Sequence, residues 1–143
     1  MSGVSPLSIF NCPLSIEKEI MGGKNNVIKE KSFGFAVRVV ELYRHLTDIR
    51  KEYVMSKQLL RSGTAIGAMV REAEQAESKR DFIHKLAISL KEANETEYWL
   101  DLLFRTGFIG ETIYLEIKQH LKELLKLLTS IIKTSKRQLA IDN

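Results

Sequence analysis

The chain has 143 residues, of which 44% are hydrophobic and 28% are charged, and its formal net charge is +4. This length and balance are typical of one folded domain of globular or coiled-coil-like composition. The single cysteine, Cys12, excludes an intramolecular disulfide and a metal site built from several cysteines. No apolar run approaches the roughly 20 residues of a membrane span, and no signal-peptide pattern is present, so we expect a cytoplasmic protein without a membrane partner.

The first 28 residues differ in composition from the rest. They contain both prolines, Pro6 and Pro13, and a Gly22-Gly23 pair followed by a short polar run. We therefore expect residues 1–28 to be a mobile, irregular arm outside the core. The absence of proline after it allows long helices throughout residues 29–137, and residues 138–143 are expected to fray.

Helix one is predicted from about Glu30 or Ser32 to Leu46. Apolar residues recur there at spacings of three and four, which is typical of an amphipathic helix. The stripe expected to face the core consists of Phe33, Ala36, Val37, Val40 and Tyr43.

Helix two is predicted from about Lys51 to Ala76 or Glu77, and it contains Gly63 and Gly67 one turn apart. A phosphate-binding loop would need a preceding strand and a Lys-Ser/Thr pair, neither of which is present. We interpret the glycines, with the small neighbours Ser62 and Ala68, as a patch that lets another helix approach closely; a break in helix two is the alternative.

Helices three and four have clear boundaries. Helix three is predicted from Lys79 to Arg105, with Ser78 as N-cap, Asp81 in a capping-box position and Gly107 just past its end. Helix four is predicted from about Glu111 to Arg137, with a regular leucine and isoleucine stripe. Four helices with short connections predict an all-α, antiparallel up-down-up-down four-helix bundle.

Catalytic and metal chemistry finds little support in the sequence. A carboxylate-bridged metal pair in a bundle needs Glu-x-x-His twice, whereas Asp81 and His84 supply such a spacing once only. No serine or threonine is paired in sequence with a histidine. We expect no catalytic residue, no metal and no cofactor.

Carboxylates near the predicted core raise a separate question. Glu97 falls on the apolar stripe of helix three, and a buried carboxylate is normally paired, because an isolated buried charge is costly. We expect a buried or half-buried ion-pair network that fixes helix register, with a proton-handling pair as the alternative. The candidate members are Arg61, Glu72, Lys91, Glu92 and Glu97, with Lys85 as a further partner.

Basic residues give the main functional signal. The segment from Lys118 onward has six cations and two carboxylates, so it holds the whole net charge of +4. Positive charge along a surface binds polyanions through phosphate contacts and counterion release, although a solvated helix face has the same composition. Aromatic residues are not interleaved, so any contact is expected to be directed at the backbone. The candidates are Lys57, Arg61, Arg71, Lys79, Arg80 and Lys85 around the helix two–three break, and Lys118, Lys122, Lys126 and Lys133 on helix four.

Three segments carry a resemblance to a known family: KSFGFAVRVVELY at 31–43, SKQLLRSGTAIGA at 56–68 and DFIHKLAISLKEANETEYWLDLL at 81–103. They resemble the bacterial four-helix-bundle family also called 23S rRNA-intervening-sequence proteins. The resemblance implies a left-handed antiparallel bundle that forms a homo-oligomer, a ring of five. It also implies a relationship to accessory proteins of diversity-generating retroelements, which bind nucleic acid beside a reverse transcriptase.

These observations favour a non-enzymatic oligomeric module that binds RNA or DNA through basic helix faces. The alternative is a protein–protein scaffold or accessory subunit, for example of a reverse transcriptase, that does not itself bind nucleic acid. In that alternative, the acidic stretch Glu92 to Asp101 and the aromatic Trp99 would form the contact.

Overall fold

A computed structural model describes the backbone of residues 16–142 and the side chains of residues 23–142. Its elements are four helices, α1 (Ile16–Asp48), α2 (Met55–Glu74), α3 (Lys79–Arg105) and α4 (Glu111–Asp142), with no strand in this range. The short connections make successive helices antiparallel. Each helix packs against two neighbours, α1 against α2 and α4, and α3 against α2 and α4. The predicted all-α four-helix bundle is confirmed.

The core face of α1 is not the face that the sequence predicted. Phe33 is 56% exposed and Val37 is 44% exposed. The prediction was wrong because α1 carries apolar residues at helical spacing on two faces, and periodicity alone does not identify the buried one. The face that packs into the bundle consists of Ile28, Ser32, Phe35, Val39, Leu42 and Leu46.

The first and the last helix both extend further than expected, at the same end of the bundle. Helix α1 begins at Ile16 rather than near Glu30 or Ser32, so residues 16–28 are helical and not irregular. Two contacts explain the extension, since Ile28 is buried and Lys24 Nζ donates to Ser130 Oγ on α4 at 3.0 Å. The part of the predicted mobile arm that covers residues 1–15 lies outside the described residues.

Helix α4 continues to Asp142 instead of ending at Arg137. No proline or glycine follows Gly110, so nothing in the local sequence ends the helix. Ser135 is buried and Gln138 accepts a hydrogen bond from Lys79 Nζ at 2.8 Å, which ties this last part of α4 to α3. Residue 143 lies outside the described range.

Helix α2 begins at Met55, four residues later than predicted. Lys51 adopts a left-handed backbone conformation with φ of 56°, which is incompatible with a continuing helix. The next residue, Glu52, is buried, and its carboxylate accepts from the backbone N–H groups of Met55 at 3.1 Å and Ser56 at 2.7 Å. Glu52 therefore caps α2, a role that sequence patterns did not indicate.

The break between α2 and α3 follows the predicted cap, although α2 ends at Glu74, before the expected Ala76 or Glu77. Ser78 Oγ accepts from the N–H of Asp81 at 3.1 Å, and the Asp81 carboxylate accepts from the N–H of Glu77 at 3.2 Å. Gly107 follows α3 with φ of 84°, as expected for a residue just past a helix end.

The two glycines of α2 lie where α1 approaches closely, and α2 is continuous through them. A Cβ atom added to Gly63 would lie 2.9 Å from both γ-carbons of Val39, and one added to Gly67 would lie 3.3 Å from the carbonyl oxygen of Ser32. The interpretation as a packing patch is confirmed for the two glycines, whereas Ala68 is exposed and Ser62 is hydrogen-bonded to Thr96 of α3.

Candidate nucleic-acid interface

The outer surface of α4 carries a row of exposed cations that we call the basic face of α4. At 3.6 residues per turn, its members fall within an arc of about 100°, and they span about 22 Å along the helix axis. The opposite side of the helix is buried through Leu121, Leu124 and Leu128, which fixes the orientation of the cations toward solvent. The basic face of α4 consists of Lys122, Lys126, Lys133, Lys136 and Arg137.

The carboxylates of α4 that lie nearest to this face are already paired. Glu123 contacts Lys31 Nζ at 3.1 Å, and Glu116 accepts from Arg38, both on the side toward α1. The hydrogen bonds that Arg38 donates to Glu41 and Glu116 raise the pKa of Arg38. None of the five cations of the basic face forms an ion pair with a side chain of residues 23–142. The face is therefore uniformly positive within the described side chains.

Lys118, a candidate from the sequence, has a different environment. Its ammonium lies 2.5 Å from Asp101 Oδ1, 3.4 Å from Glu97 and 3.1 Å from the Tyr114 hydroxyl. Burial alone would lower the pKa of Lys118, but the hydrogen bonds to Asp101 and Tyr114 raise it. Burial likewise opposes ionisation of Asp101, yet its hydrogen bonds from Lys118 and Tyr114 lower its pKa. The structure thus places Lys118 in a cross-link between α3 and α4.

The candidate cations around the α2–α3 break do not form one surface. Lys57 lies at the start of α2, whereas Lys79 and Arg80 lie at the start of α3, at the opposite end of the bundle. The 20 residues of α2 separate these positions by about 30 Å. Arg71 lies in the last turn of α2, at the same end as Lys79 and Arg80, with its guanidinium 5.2 Å from the centre of the Phe33 ring.

Two of these cations instead form ion pairs with carboxylates. Arg61 contacts Glu92 at 3.2 Å and also Glu95, and Lys85 contacts Glu72 at 3.2 Å. The side chain of Arg61 is 49% exposed, so these pairs lie at the surface of the α2–α3 packing and not in the core. They contribute little stability individually, because solvent screens them.

The remaining predicted ion-pair residues are divided between two places. Glu97 pairs with Lys118, as described above, and Lys91 contacts no carboxylate within 4.0 Å among the described side chains. Glu95, a member of the acidic stretch Glu92 to Asp101 but not of the predicted ion pairs, accepts from the indole N–H of Trp99 at 3.1 Å. The hydrogen bond from Trp99, then the one from Arg61, lower the pKa of Glu95. The spacing of four between Glu95 and Trp99 was the available signal.

The small polar residues of the core are structural. Ser89 Oγ donates to the carbonyl of Ile66 at 2.8 Å, and the hydroxyls of Thr96 and Ser62 are hydrogen-bonded at 2.9 Å, which joins α2 to α3. Within the described residues, no three histidine, cysteine, aspartate or glutamate side chains lie close enough to hold a metal ion. No helix in that range is long and apolar enough to cross a membrane.

A second surface feature lies on the outside of α1 and α2, and we call it the α1–α2 groove. It has a volume of about 270 Å³. Its lining is mixed, with small or apolar residues and the two cations Lys29 and Arg71: Lys29, Ser32, Phe33, Ala36, Thr64, Gly67, Ala68 and Arg71. Phe33 and the nearby Val37 expose apolar surface on this face.

Comparison with known proteins gives a family and a solved relative. The sequence profile of the family described as 23S rRNA-intervening sequence protein matches residues 24–130. A crystal structure from Bacteroides thetaiotaomicron, described as a protein with unknown function from the S23 ribosomal protein family, is 62% identical. It superposes with a TM-score of 0.76 over 77% of this chain and 98% of that chain. None of the curated proteins matches.

Proposed function

This chain belongs to the 23S rRNA-intervening sequence protein family, and we propose that it is a non-enzymatic, self-associating helical module that binds the phosphate backbone of RNA or DNA. The binding surface in this proposal is the basic face of α4. The observation that supports it is a row of five exposed cations with no carboxylate among them. The neighbouring acids Glu116 and Glu123 form ion pairs with cations of α1.

Counterion release makes the proposal quantitative. Each phosphate neutralised on a duplex contributes about −0.9 to the slope of log K against log salt concentration. Five contacts on one protomer therefore predict a slope of about −4.5. The affinity is expected in the micromolar range and without strong sequence preference, since phosphate contacts position a protein but carry no sequence information.

The test is fluorescence anisotropy with a labelled duplex of about 20 base pairs, titrated between about 50 and 200 mM salt. The variant carries Lys122→Gln, Lys126→Gln and Lys133→Gln, and its slope is expected to fall in magnitude by about 2.7. The matched control removes the same charge elsewhere through Lys57→Gln, Arg80→Gln and Lys91→Gln, all exposed. Equal losses in both variants, or affinity that does not change with salt, would refute the proposed surface.

Self-association is the second part of the proposal, and the α1–α2 groove supports it. Phe33 and Val37 expose apolar surface next to a groove, which is typical of a contact site between proteins. The family resemblance suggests a ring of five copies. A ring would present one basic face per copy, and linked faces bind a long polyanion more tightly than one face does.

A protein–protein scaffold is the alternative, with a reverse transcriptase as an example of a partner. Tyr98 supports it, because it is 58% exposed beside Trp99 on α3. The acidic residues expected to take part are less available, since Glu92 and Glu95 are paired with Arg61. Tyr98→Ala would abolish partner capture in this alternative, whereas the triple glutamine variant of α4 would leave it intact.

A further inference from the structure

We infer that the basic face of α4 selects double-stranded over single-stranded nucleic acid. The inference rests on the proposed function and adds the substrate class to it. It follows from the shape of the face, from the absence of aromatic side chains on it, and from the higher charge density of a duplex compared with a single strand.

The basic face of α4 is convex apart from one open depression beside Lys126 and Thr129, which Leu125 and Ser130 also line. Its cations project from the outside of a helix whose other side is packed into the bundle through Ile117, Leu121 and Leu128. A flexible single strand is normally held in a groove that follows its backbone. A convex ridge contacts phosphates from one side only, so it favours a ligand whose phosphates are already fixed in space.

No aromatic side chain is available on this ridge for base stacking. Between Lys122 and Arg137, its other exposed position is Thr129. Tyr114, the only aromatic residue of α4, is stacked on Phe104 with the ring centres 4.1 Å apart, and its hydroxyl donates to Asp101 at 2.7 Å. The stacking of bases on aromatic rings, which would offset the ordering of a single strand, is therefore missing.

The charge density of the nucleic acid also favours a duplex over a single strand. A duplex carries one negative charge per about 1.7 Å of its axis, twice the density of either strand, and it needs no ordering. The ridge is about 22 Å long, so a duplex lying along it offers more phosphates than the five cations can contact. A single strand must instead straighten to reach the same cations, and this costs conformational entropy.

The two ligands also differ in their expected salt dependence. With five contacts, the slope is about −4.5 for a duplex and about −3.5 for a single strand. Raising salt fourfold therefore weakens binding about 500-fold for the duplex and about 130-fold for the strand. The preference for the duplex is largest at low salt and narrows as salt rises.

The experiment compares one duplex of about 20 base pairs with each of its separated strands, chosen to lack self-complementarity, by anisotropy at several salt concentrations. We expect the duplex to bind at least about tenfold more tightly at low salt, and the α4 triple glutamine variant to lose most of this difference. Equal or tighter binding of the strands, with binding still lost in the α4 variant, overturns duplex selection and leaves the proposed function standing. If neither form binds, the proposed function itself fails.

A further pair of variants tests whether the absence of base stacking causes the preference for a duplex. Thr129→Trp places an aromatic ring among the cations without changing their number, and Thr106→Trp places one at the exposed end of α3 as a control. We expect Thr129→Trp to raise affinity for single strands severalfold, because it supplies stacking, and Thr106→Trp to have no such effect. No gain for Thr129→Trp would show that missing aromatic residues are not the cause of the preference.

Discussion

The carboxylate of Glu52 caps α2 from a nearly buried position, and this makes one local interaction pH-dependent. Burial opposes ionisation, but hydrogen bonds from the amides of Ser56, Met55 and Val54 outweigh it and lower the pKa of Glu52 below the ordinary value of 4.5. A carboxyl group with a depressed folded-state pKa stabilises the fold at neutral pH, and this stabilisation is lost as the pH falls through that pKa.

We predict that Glu52→Gln lowers the free energy of unfolding at pH 7 by about 1 kcal/mol, within the range of helix N-caps. The difference from the unmodified protein should shrink below pH 4.5 and approach zero in stronger acid, as followed by urea denaturation across that range. Glu30→Gln is the control, because Glu30 is exposed and pairs with no described cation. A difference that does not change with pH would contradict the charge-dependent cap.

Gly63 gives a second prediction at single-residue scale. In a helix, alanine is normally favoured over glycine by about 1 kcal/mol. At Gly63 the added Cβ would lie 2.9 Å from both γ-carbons of Val39, which is fully buried and stiff about χ1. We therefore expect Gly63→Ala to reduce the free energy of unfolding by about 1–3 kcal/mol, measured by denaturant titration at fixed protein concentration.

The control for Gly63 is Gly34, an exposed glycine inside α1 whose added Cβ would meet nothing within 4 Å. Gly34→Ala should stabilise the protein by up to about 1 kcal/mol. Combining Gly63→Ala with Val39→Ala should restore part of the loss, since the two side chains compete for one space. Stabilisation by Gly63→Ala alone would mean that α1 can move away from α2.

At the scale of the element, the buried face of α1 could not be predicted from the sequence, unlike the main features of α3 and α4. Leucines and isoleucines define one face of α4, and a serine cap and a glycine define the ends of α3, so these features were predictable. In α1, apolar residues recur at helical spacing on two different faces. Phe33 belongs to one face and Phe35 to the other. Which of them is buried depends on the packing of α2 and α4, and that is not encoded in the period of α1 itself.

The two phenylalanines also provide a test of the register of α1. Phe35 is 2% exposed, so Phe35→Ala should cost about 3–5 kcal/mol of unfolding free energy. Phe33 is 56% exposed and contacts Arg71 through its ring, so Phe33→Ala should cost less than about 1 kcal/mol in the dissociated protein. Thermal and urea denaturation at low protein concentration measure both. The opposite ranking would restore the core face that the sequence suggested.

The candidate interface was also predictable only in part: the sequence indicated the exposed cations but not the ion pairs between helices. The cations of α4 could be read from the sequence, because an exposed face follows directly from a well-defined buried one. The pairing of Lys118, Arg61 and Lys85 could not, because each depends on a carboxylate of another helix and on the rotation of that helix. The exposed cations of α4 were therefore predictable from the sequence, whereas the number of candidate cations that face solvent unpaired was overestimated.

At the scale of the whole molecule, the exposed apolar side of α1 and the basic face of α4 lead to a single expectation about assembly. If the contact between copies covers the α1–α2 groove and the neighbouring Val37, a carboxylate at position 37 would lose its hydration, and pairing with Arg71 or Lys29 of the groove would offset only part of that cost. We predict that Val37→Glu converts the oligomer to smaller species while the helical content is retained. Light scattering after size exclusion gives the mass, and circular dichroism gives the helicity.

Leu115→Glu is the matched control, because Leu115 is 55% exposed on α4 and Val37 is 44% exposed on α1. The control should keep the mass of the unmodified protein, for which the family resemblance suggests five copies. Since separate copies lose the advantage of linked basic faces, Val37→Glu should also weaken binding to a long duplex by at least about tenfold, while its five α4 cations are unchanged. A monomeric unmodified protein, or equal dissociation of both variants, would exclude the groove as the contact between copies.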